Sequence, residues 1–272
     1  MKYVDDLALA ESVNMNTQLA EIPQHERTLP DEYRARTGHR LKSESSKISE
    51  KLKEIHLYAK QNGMRINLEK TKLMLFNPCY SKDFMPDITV ASTRLELVES
   101  AKLLGVIITS DLKWEENTLY IVKRCYSKVW TLRRLKKLGA SSDDLLDVYF
   151  KQIRSILEFA SPVWNSAITG DDITSLERVQ KTVLHIILGD NYNSYSSALK
   201  ATGLQKLSER RKKLSLTFAK NALKTPKFSN WFRINPNQGG RTNQPKFCPA
   251  IARTERFRKS PISELINLLN SQ

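Results

Sequence analysis

The feature that most constrains the fold is a helical repeat of apolar residues between Trp114 and Lys224. Apolar residues three or four positions apart share one face of an α-helix, and that face is buried when helices pack together. The pattern predicts four helices, whose apolar stripes are Ile121, Cys125, Val129 and Leu132; Leu145, Tyr149, Ile153 and Ile156; Ile173, Leu176, Val183 and Ile187; and Leu214, Phe218 and Ala222. We therefore expect a helical bundle in this part of the chain.

Capping residues mark where these helices begin and end. Ser141 lies three residues before Asp144, which is the spacing of a capping box, and Thr169 has the same relation to Asp172. Gly139 and Gly189 suit the ends of the first and third helices. The fourth helix is predicted near 207–224.

Before the bundle, the apolar residues have helical spacing in one segment and strand-like spacing in others. Residues 43–61 are predicted to form a helix, with Ile48, Leu52, Ile55 and Ala59 on one face and Asn62-Gly63 at its end. Short strands are predicted at 64–68, 72–76, 88–90, 94–98 and 103–109. A helix behind a small antiparallel sheet, followed by a helical bundle, is an α+β fold. Residues 14–42 lack periodicity and are predicted to be an inserted loop.

Beyond Pro226, prolines and the pair Gly239-Gly240 interrupt any regular pattern. We expect an irregular tail with a short helix at 261–269. Trp231 and Phe232 lie among basic residues, where aromatic rings can stack on single-stranded bases. The alternative, which we favour, is that the two rings fill a small apolar core.

The N-terminal sequence Tyr3-Val4-Asp5-Asp6, followed by an apolar run, predicts a strand, a tight turn and a second strand. Adjacent aspartates at such a turn offer the hard oxygen ligands that suit Mg²⁺. An Asp-Asp pair by itself is more often a solvated turn. The interpretation as a Mg²⁺ site therefore depends on the later motifs of the chain.

Together these motifs resemble, in order, the reverse transcriptases of non-LTR (LINE-type) retrotransposons, and the resemblance covers most of the chain, thinning after about Gly203. The matching segments are Tyr3-Val4-Asp5-Asp6, the Asn67-x-x-Lys70-Thr71 core with its following strand, Lys102 to Thr109, Trp130 to Leu135 and Leu157 to Trp164. The resemblance implies a partial palm over 1–112, a thumb-like helical domain over 113–205 and a basic C-terminal segment over 206–272.

The resemblance also implies roles for individual residues. Asp5 and Asp6 would bind catalytic Mg²⁺, with Asp5 the stronger candidate, and Tyr3 would lie beside the primer end unless it is only a β-favouring aromatic. Lys70 or Lys72 would protonate the leaving pyrophosphate; the spacing leaves both open, and a solvated strand-edge lysine is the alternative. Gly105 would let a primer-gripping strand approach its substrate closely, or it marks a bulge.

The charge of the chain also favours a nucleic-acid partner. The chain has a net charge of +15, and residues 201–272 contain 15 Lys or Arg against 3 Asp or Glu. Such an imbalance favours a polyanion such as RNA or DNA, although basic segments are also simply solvated. The predicted helix ending near Leu138 carries seven cations and no acid, and it is our candidate surface for duplex phosphates. The candidate nucleic-acid contacts are Lys123, Arg124, Lys128, Arg133, Arg134, Lys137, Arg210 and Arg211.

Other classes are disfavoured. Cys79, Cys125 and Cys248 are odd in number and far apart, which predicts neither a disulfide framework nor a zinc site. No apolar run is long enough to span a membrane, and no signal peptide is apparent. These features predict an intracellular protein of the nucleus or cytoplasm.

Three hypotheses follow. In the first, the chain is the C-terminal part of an RNA-directed DNA polymerase and is inactive alone, because the fingers and a further metal-binding aspartate would precede Tyr3. In the second, the basic helix and the C-terminal segment form a nucleic-acid-binding module without catalysis. In the third, the bundle is a protein-interaction domain with no nucleic-acid partner.

Overall fold

The computed structural model describes residues 2–3, 47–76, 88–236, 246–249, 251–252 and 254–272. The chain separates into two compact units, Met1–Leu112 and Lys113–Gln272. Helices and short strands are both present, so the predicted α+β class is confirmed. The predicted loop at 14–42 lies outside the described residues.

The first unit is organised around one helix. Helix α1 spans Lys47–Gln61, and its end is followed by Gly63 with φ of +67°, the left-handed conformation predicted there. The buried residues Ile88, Val90 and Leu95 form a small core, and the partly buried residues packed against it are Ile48, Leu52, Leu68 and Leu73. The α1 stripe therefore faces the strands, as its periodicity indicated.

The strands do not form the single antiparallel sheet that was predicted. The described strands are β1 (Lys2–Tyr3), β2 (Met64–Arg65), β3 (Lys72–Leu73), β4 (Thr89–Val90), β5 (Thr93–Arg94), β6 (Glu96–Leu97), β7 (Ser100–Leu103) and β8 (Val106–Thr109). They make four separate pairs: β1–β2 and β3–β6 are parallel, and β4–β5 and β7–β8 are antiparallel. Apolar alternation indicated that strands exist but carried no information about which strands pair.

The second unit is helical throughout its regular structure. Its helices are α2 (Glu115–Lys137), α3 (Ser142–Val148), α4 (Ser155–Glu158), α5 (Ser161–Trp164), α6 (Gly170–Leu188), α7 (Tyr195–Thr202), α8 (Leu207–Leu223), α9 (Glu255–Arg258) and α10 (Pro261–Asn270). Both predicted capping boxes are present: Ser141 Oγ accepts from the Asp144 amide, and Thr169 Oγ1 from the Asp172 amide, each at 3.2 Å. Helix α7 was not predicted.

The core of this unit differs from the predicted stripes at one helix junction. Between α3 and α4 the chain makes a π-helical turn at Tyr149–Arg154. Because a π-turn has more residues per turn than an α-helix, the buried position moves on by one residue. Leu157 is therefore fully buried, whereas the predicted Ile156 is only partly buried.

The face that α8 buries agrees with the predicted stripe only at Ala222. Its buried residues are Leu207, Arg211, Ser215, Ala219 and Ala222, whereas the predicted core residue Phe218 is exposed. Small side chains let a helix lie close to its neighbours, and a search for large apolar residues overlooks such a face.

The C-terminal region is more regular than predicted. Helix α10 covers the short helix expected at 261–269. Phe232, Phe247, Leu265 and Ile266 are buried with Ala219 and Ala222 of α8, and Trp231 packs against them. The two aromatic residues therefore fill a core, as favoured. Within the described residues, no helix combines the length and the apolar character that a membrane span requires.

Candidate nucleic-acid interface

One side of α2 faces the core and the other faces solvent. The buried side chains of this 23-residue helix are Asn117, Thr118, Ile121, Cys125, Val129 and Leu132. At 100° per residue, the line opposite this stripe passes through Lys123, Trp130, Arg134 and Lys137, and all four are exposed. We call this line the α2 outer face. It brings three of the predicted phosphate-contacting residues onto one side of one helix.

An exposed aromatic ring lies in the middle of the α2 outer face. Trp130 is 58% exposed, although large apolar side chains in a helix usually face the core. The guanidinium carbon of Arg134 lies 4.9 Å from the centroid of the Trp130 ring. This cation–π contact orients the arginine across the ring and limits the rotamers that it samples.

Two edges flank the α2 outer face. Arg124 and Lys128 are exposed along one edge, and Arg124 lies 5.4 Å from the ring centroid of Tyr120. Arg133 lies along the other edge, where it lines a cavity of about 350 Å³ together with Lys181 and other residues of α6 and the following segment. Every predicted contact residue of α2 is thus exposed, but on three adjoining strips rather than on one.

Among the described residues, few acidic groups neutralise the charge on these strips. Lys123, Lys128, Arg133 and Lys137 form no ion pair in the described part of the chain. Cations near a helix C-terminus interact favourably with the backbone carbonyls there. Lys136 interacts with the end of a different helix. Its Nζ donates to the Ile187 carbonyl at 3.0 Å and joins the ends of α2 and α6.

One expectation about α2 is wrong, because the helix does carry acidic residues. It starts at Glu115, so Glu115 and Glu116 lie in its first turn, and the helix is not free of acids. Acidic residues at an N-terminus are stabilised by the unpaired amides of the first turn. The acidic and basic residues thus occupy opposite ends of α2, and the cationic face begins near Lys123.

Arg210 and Arg211 do not extend this interface. Glu158 accepts from Arg210 Nε at 2.5 Å and from Nη2 at 3.0 Å, and this hydrogen bonding raises the pKa of Arg210. Arg211 is fully buried, with its Nε donating to Asn165 Oδ1 at 2.9 Å. Arg211 is therefore not part of the exposed cationic surface and Arg210 is already paired, so contact of either residue with nucleic acid stays a prediction.

The Asn-x-x-Lys-Thr segment forms a local turn. Asn67 Oδ1 accepts from the Lys70 amide at 3.1 Å, and the Asn67 carbonyl accepts from the Thr71 amide at 3.0 Å and from Thr71 Oγ1 at 2.8 Å. The Lys70 side chain is exposed. The Lys72 ammonium instead pairs with Glu96 across the β3–β6 pair.

Gly105 lies in a turn and does not mark a bulge, and its close approach to a substrate stays a prediction. Leu104 and Gly105 have φ of +48° and +88° and form the two-residue turn between β7 and β8. Such a turn requires positive φ at both positions, which glycine adopts at little cost. Residues 103–109 are therefore the last residue of β7, the turn and β8, and they form part of a hairpin rather than one strand with a bulge.

The predicted metal ligands Asp5 and Asp6 lie outside the described residues, as does the side chain of Tyr3. In the part of the chain that the structure describes, no group of three or more His, Cys, Asp or Glu side chains is placed to hold a metal ion. The predicted Mg²⁺ site therefore depends on Asp5 and Asp6.

Trp130, Lys181 and His185 were missing from the predicted interface. Trp130 lies seven residues after Lys123 and four before Arg134, so its place opposite the buried stripe was readable from helical spacing. Lys181 and His185 line the α6 side of the cavity beside Arg133. No sequence signal joined them to α2, because that adjacency depends on how the two helices pack.

Comparisons with known proteins give no family for this chain. No family model matches it, and no curated protein or solved structure matches it significantly.

Proposed function

We propose that this chain binds nucleic acid through the α2 outer face and its two flanking strips. The observation that carries the proposal is the row of exposed cations on α2 that lacks acidic partners in the described residues and surrounds the exposed ring of Trp130. Like charges held in a row repel one another, and a polyanion removes that repulsion while releasing its own counterions.

The partner that fits best is a duplex. Lys123 and Lys137 are fourteen residues apart on α2, which corresponds to about 21 Å along a helix. That length can follow several phosphates of one strand. Lysine and arginine contacts to phosphates fix the position of a duplex without reading its bases, so the binding is independent of sequence. Arg134 is held over Trp130, which orients its guanidinium before the duplex arrives.

The proposal is tested by removing charge from α2 and, separately, from α8. One variant carries Lys123→Gln, Lys128→Gln and Lys137→Gln; its control carries Lys213→Gln, Lys220→Gln and Lys224→Gln, three exposed lysines in or next to α8. Glutamine preserves helix propensity, and both variants lose the same charge. Fluorescence anisotropy with an RNA–DNA hybrid duplex should show at least about tenfold weaker binding for the α2 variant and little change for the control.

Two outcomes would contradict the proposal. Equal weakening in both variants would mean that binding follows total charge and has no defined face. Binding of a single strand but not of the hybrid would mean that Trp130 acts as a stacking platform instead of a duplex contact. Circular dichroism spectra of both variants establish that the helices are retained.

A second candidate function is RNA-directed DNA synthesis, in keeping with the resemblance to non-LTR retrotransposon reverse transcriptases. Its supporting observation is the parallel pairing of β1 with β2, in register Tyr3 opposite Arg65. Parallel strands end at the same edge, so the segments that lead to Asp5 and to Lys70 both start there. In this proposal Asp5 and Asp6 bind Mg²⁺, and Lys70 rather than Lys72 donates a proton, because Lys72 is paired with Glu96.

Primer extension on an RNA template with Mg²⁺ tests this second function. Asp5→Asn should abolish any extension, and Lys70→Ala should slow it by about a hundredfold while Lys72→Ala has a small effect. Extension that survives Asp5→Asn would show a contaminating polymerase. Absence of extension, with duplex binding intact, would leave the binding function alone.

A further inference from the structure

A cavity of about 250 Å³ lies in the helical unit on helices other than α2. Its charged lining residues are Arg211, Lys212, Arg258, Lys259 and Glu264, which come from α8, from α9 and the residue after it, and from α10. Four of these five groups are cationic. The residues that form the proposed duplex interface take no part in it.

Arg211 forms part of the cavity wall and has unused hydrogen-bond donors. The residue is 0% exposed and its Nε donates to Asn165 Oδ1, whereas its Nη1 and Nη2 make no hydrogen bond to any described residue. Its guanidinium carbon lies 5.7 Å from the Trp164 ring centroid. A buried guanidinium stays charged, and leaving two of its nitrogens without acceptors is costly. An acceptor from outside the chain would remove that cost.

The two carboxylates whose charges act on Arg211 are already engaged with other groups. Glu158 accepts two hydrogen bonds from Arg210. Glu177 accepts from the Ser208 amide at 2.9 Å and from the Tyr195 hydroxyl at 2.5 Å. Both carboxylates favour the charge on Arg211 through space, but neither supplies an acceptor to its Nη atoms.

The rest of the lining also favours an anion over a cation. Lys212 is exposed at the cavity, and Arg258 and Lys259 share Glu255 as their ion-pair partner. Glu264 is the one acidic side chain in the lining. Its Oε1 accepts from Asn165 Nδ2 at 3.3 Å, its Oε2 is buried without a partner in the described part of the chain, and burial raises the pKa of its carboxyl.

Ser166 adds an unpaired polar group to the lining. Its Oγ is buried and has no hydrogen-bond partner among the residues that the structure describes, and the residue lines the same cavity. A hydroxyl and a guanidinium are both hydrogen-bond donors. An oxyanion with several acceptor oxygens can use donors of both kinds at once.

We propose that this cavity is a binding site for a phosphate group, held by the Nη atoms of Arg211 and by Lys212. The planar guanidinium fork matches two oxygens of a phosphate, and a lysine beside it adds a point charge. The small volume suits a phosphate ion or the phosphate end of a larger molecule rather than a whole nucleotide. The site is separate from the α2 outer face and does not depend on the function proposed for that face.

Isothermal titration calorimetry with inorganic phosphate, against chloride at the same ionic strength, tests the site. Lys212→Gln should weaken phosphate binding about fivefold, whereas Lys213→Gln, which removes the same charge outside the lining, should leave it unchanged. Glu264→Gln should strengthen binding about threefold, since it removes the one opposing charge of the lining and retains an acceptor for Asn165. A purely structural role for Glu264 would not produce tighter binding.

Arg211→Lys keeps a charge but loses the fork, and it should abolish measurable phosphate binding; far-UV circular dichroism checks that the variant folds. Two oligonucleotides of the same sequence, one with a 5′-phosphate and one with a 5′-hydroxyl, identify the source of the phosphate. Tighter binding of the phosphorylated oligonucleotide assigns the site to a nucleic-acid end. Equal binding of the two oligonucleotides, with inorganic phosphate as a competitor, assigns the site to the free ion. Phosphate affinity weaker than about 10 mM, or full affinity in Arg211→Lys, would overturn the proposal.

Discussion

Helices α2 and α8 are both rich in Lys and Arg, yet α2 exposes every one of these residues whereas α8 buries Arg211. Helix α2 buries Ile121, Val129 and Leu132 and presents its cations to solvent. Helix α8 buries Arg211 beside Ser215 and Ala219. The comparison shows that the number of cations in a helix does not give its exposed charge; the side chains of the buried stripe decide which cations remain at the surface.

The two helices differ in the cations that they expose because their buried side chains differ in size. The aliphatic stripe of α2 fills the space beneath the helix, so every cation is directed outward. The serine and alanine side chains of α8 leave room next to Trp164, and a long arginine side chain with an amphipathic stem fills it. The predictions below test this difference, in order of decreasing effect.

The largest expected effect follows removal of the buried arginine. Arg211→Ala should lower the free energy of unfolding by about 3 kcal/mol, because it opens a cavity beside Trp164 and leaves the Asn165 carbonyl without its donor. Lys123→Ala on α2 should change it by less than about 0.5 kcal/mol. Urea denaturation of both variants gives the comparison, and equal effects would mean that Arg211 is not part of the core.

The close packing of α8 can be tested by enlarging a small residue. Ala219 is fully buried, so Ala219→Leu should lower the stability by about 2 kcal/mol through overpacking. The neighbouring Lys220 is exposed, and Lys220→Leu is the matched control with little expected change. Thermal unfolding checks both; a stable Ala219→Leu variant would show that α8 has space beneath it.

A smaller effect is expected when Arg210 is released from its partner. Glu158→Gln weakens the two hydrogen bonds to Arg210 and should lower the stability by about 1.5 kcal/mol. Asp147→Asn causes the same change of charge in an exposed pair with Lys151, and should be nearly neutral. Chemical denaturation compares the stability of the two variants. Identical unfolding curves would mean that the Arg210–Glu158 pair stabilises the protein no more than the exposed pair does.

The smallest change in stability is expected on the α2 outer face itself. Trp130→Ala should alter the free energy of unfolding by less than about 0.5 kcal/mol, yet weaken duplex binding about threefold because Arg134 loses the ring that orients it. Leu119→Ala, at an exposed apolar position near the start of α2, should leave binding unchanged. A large loss of stability in Trp130→Ala would show that the ring belongs to the core.

Local rules predicted the parts of this fold that depend on neighbours in sequence. The capping boxes at Ser141 and Thr169 and the glycine at position 63 were predictable because a few adjacent residues determine them. The exposed cations of α2 were predictable for the same reason, since an aliphatic stripe at regular spacing sets the orientation of the whole helix.

What could not be predicted depends on contacts between distant segments. The pairing of β3 with β6, the shift from Ile156 to Leu157 at the π-turn and the burial of Arg211 are all set by packing partners that the local sequence does not identify. The phosphate cavity is a further case, because its lining residues come from segments up to about a hundred positions apart.

We propose that the α2 outer face, and not total charge, determines the contact with nucleic acid. The most direct measurement is the dependence of duplex affinity on salt for the protein and for the two triple-glutamine variants. Loss of Lys123, Lys128 and Lys137 should reduce the slope of log affinity against log salt by about 2 to 3, while loss of Lys213, Lys220 and Lys224 reduces it by less than about 0.5. Equal slopes for the two variants would contradict the account.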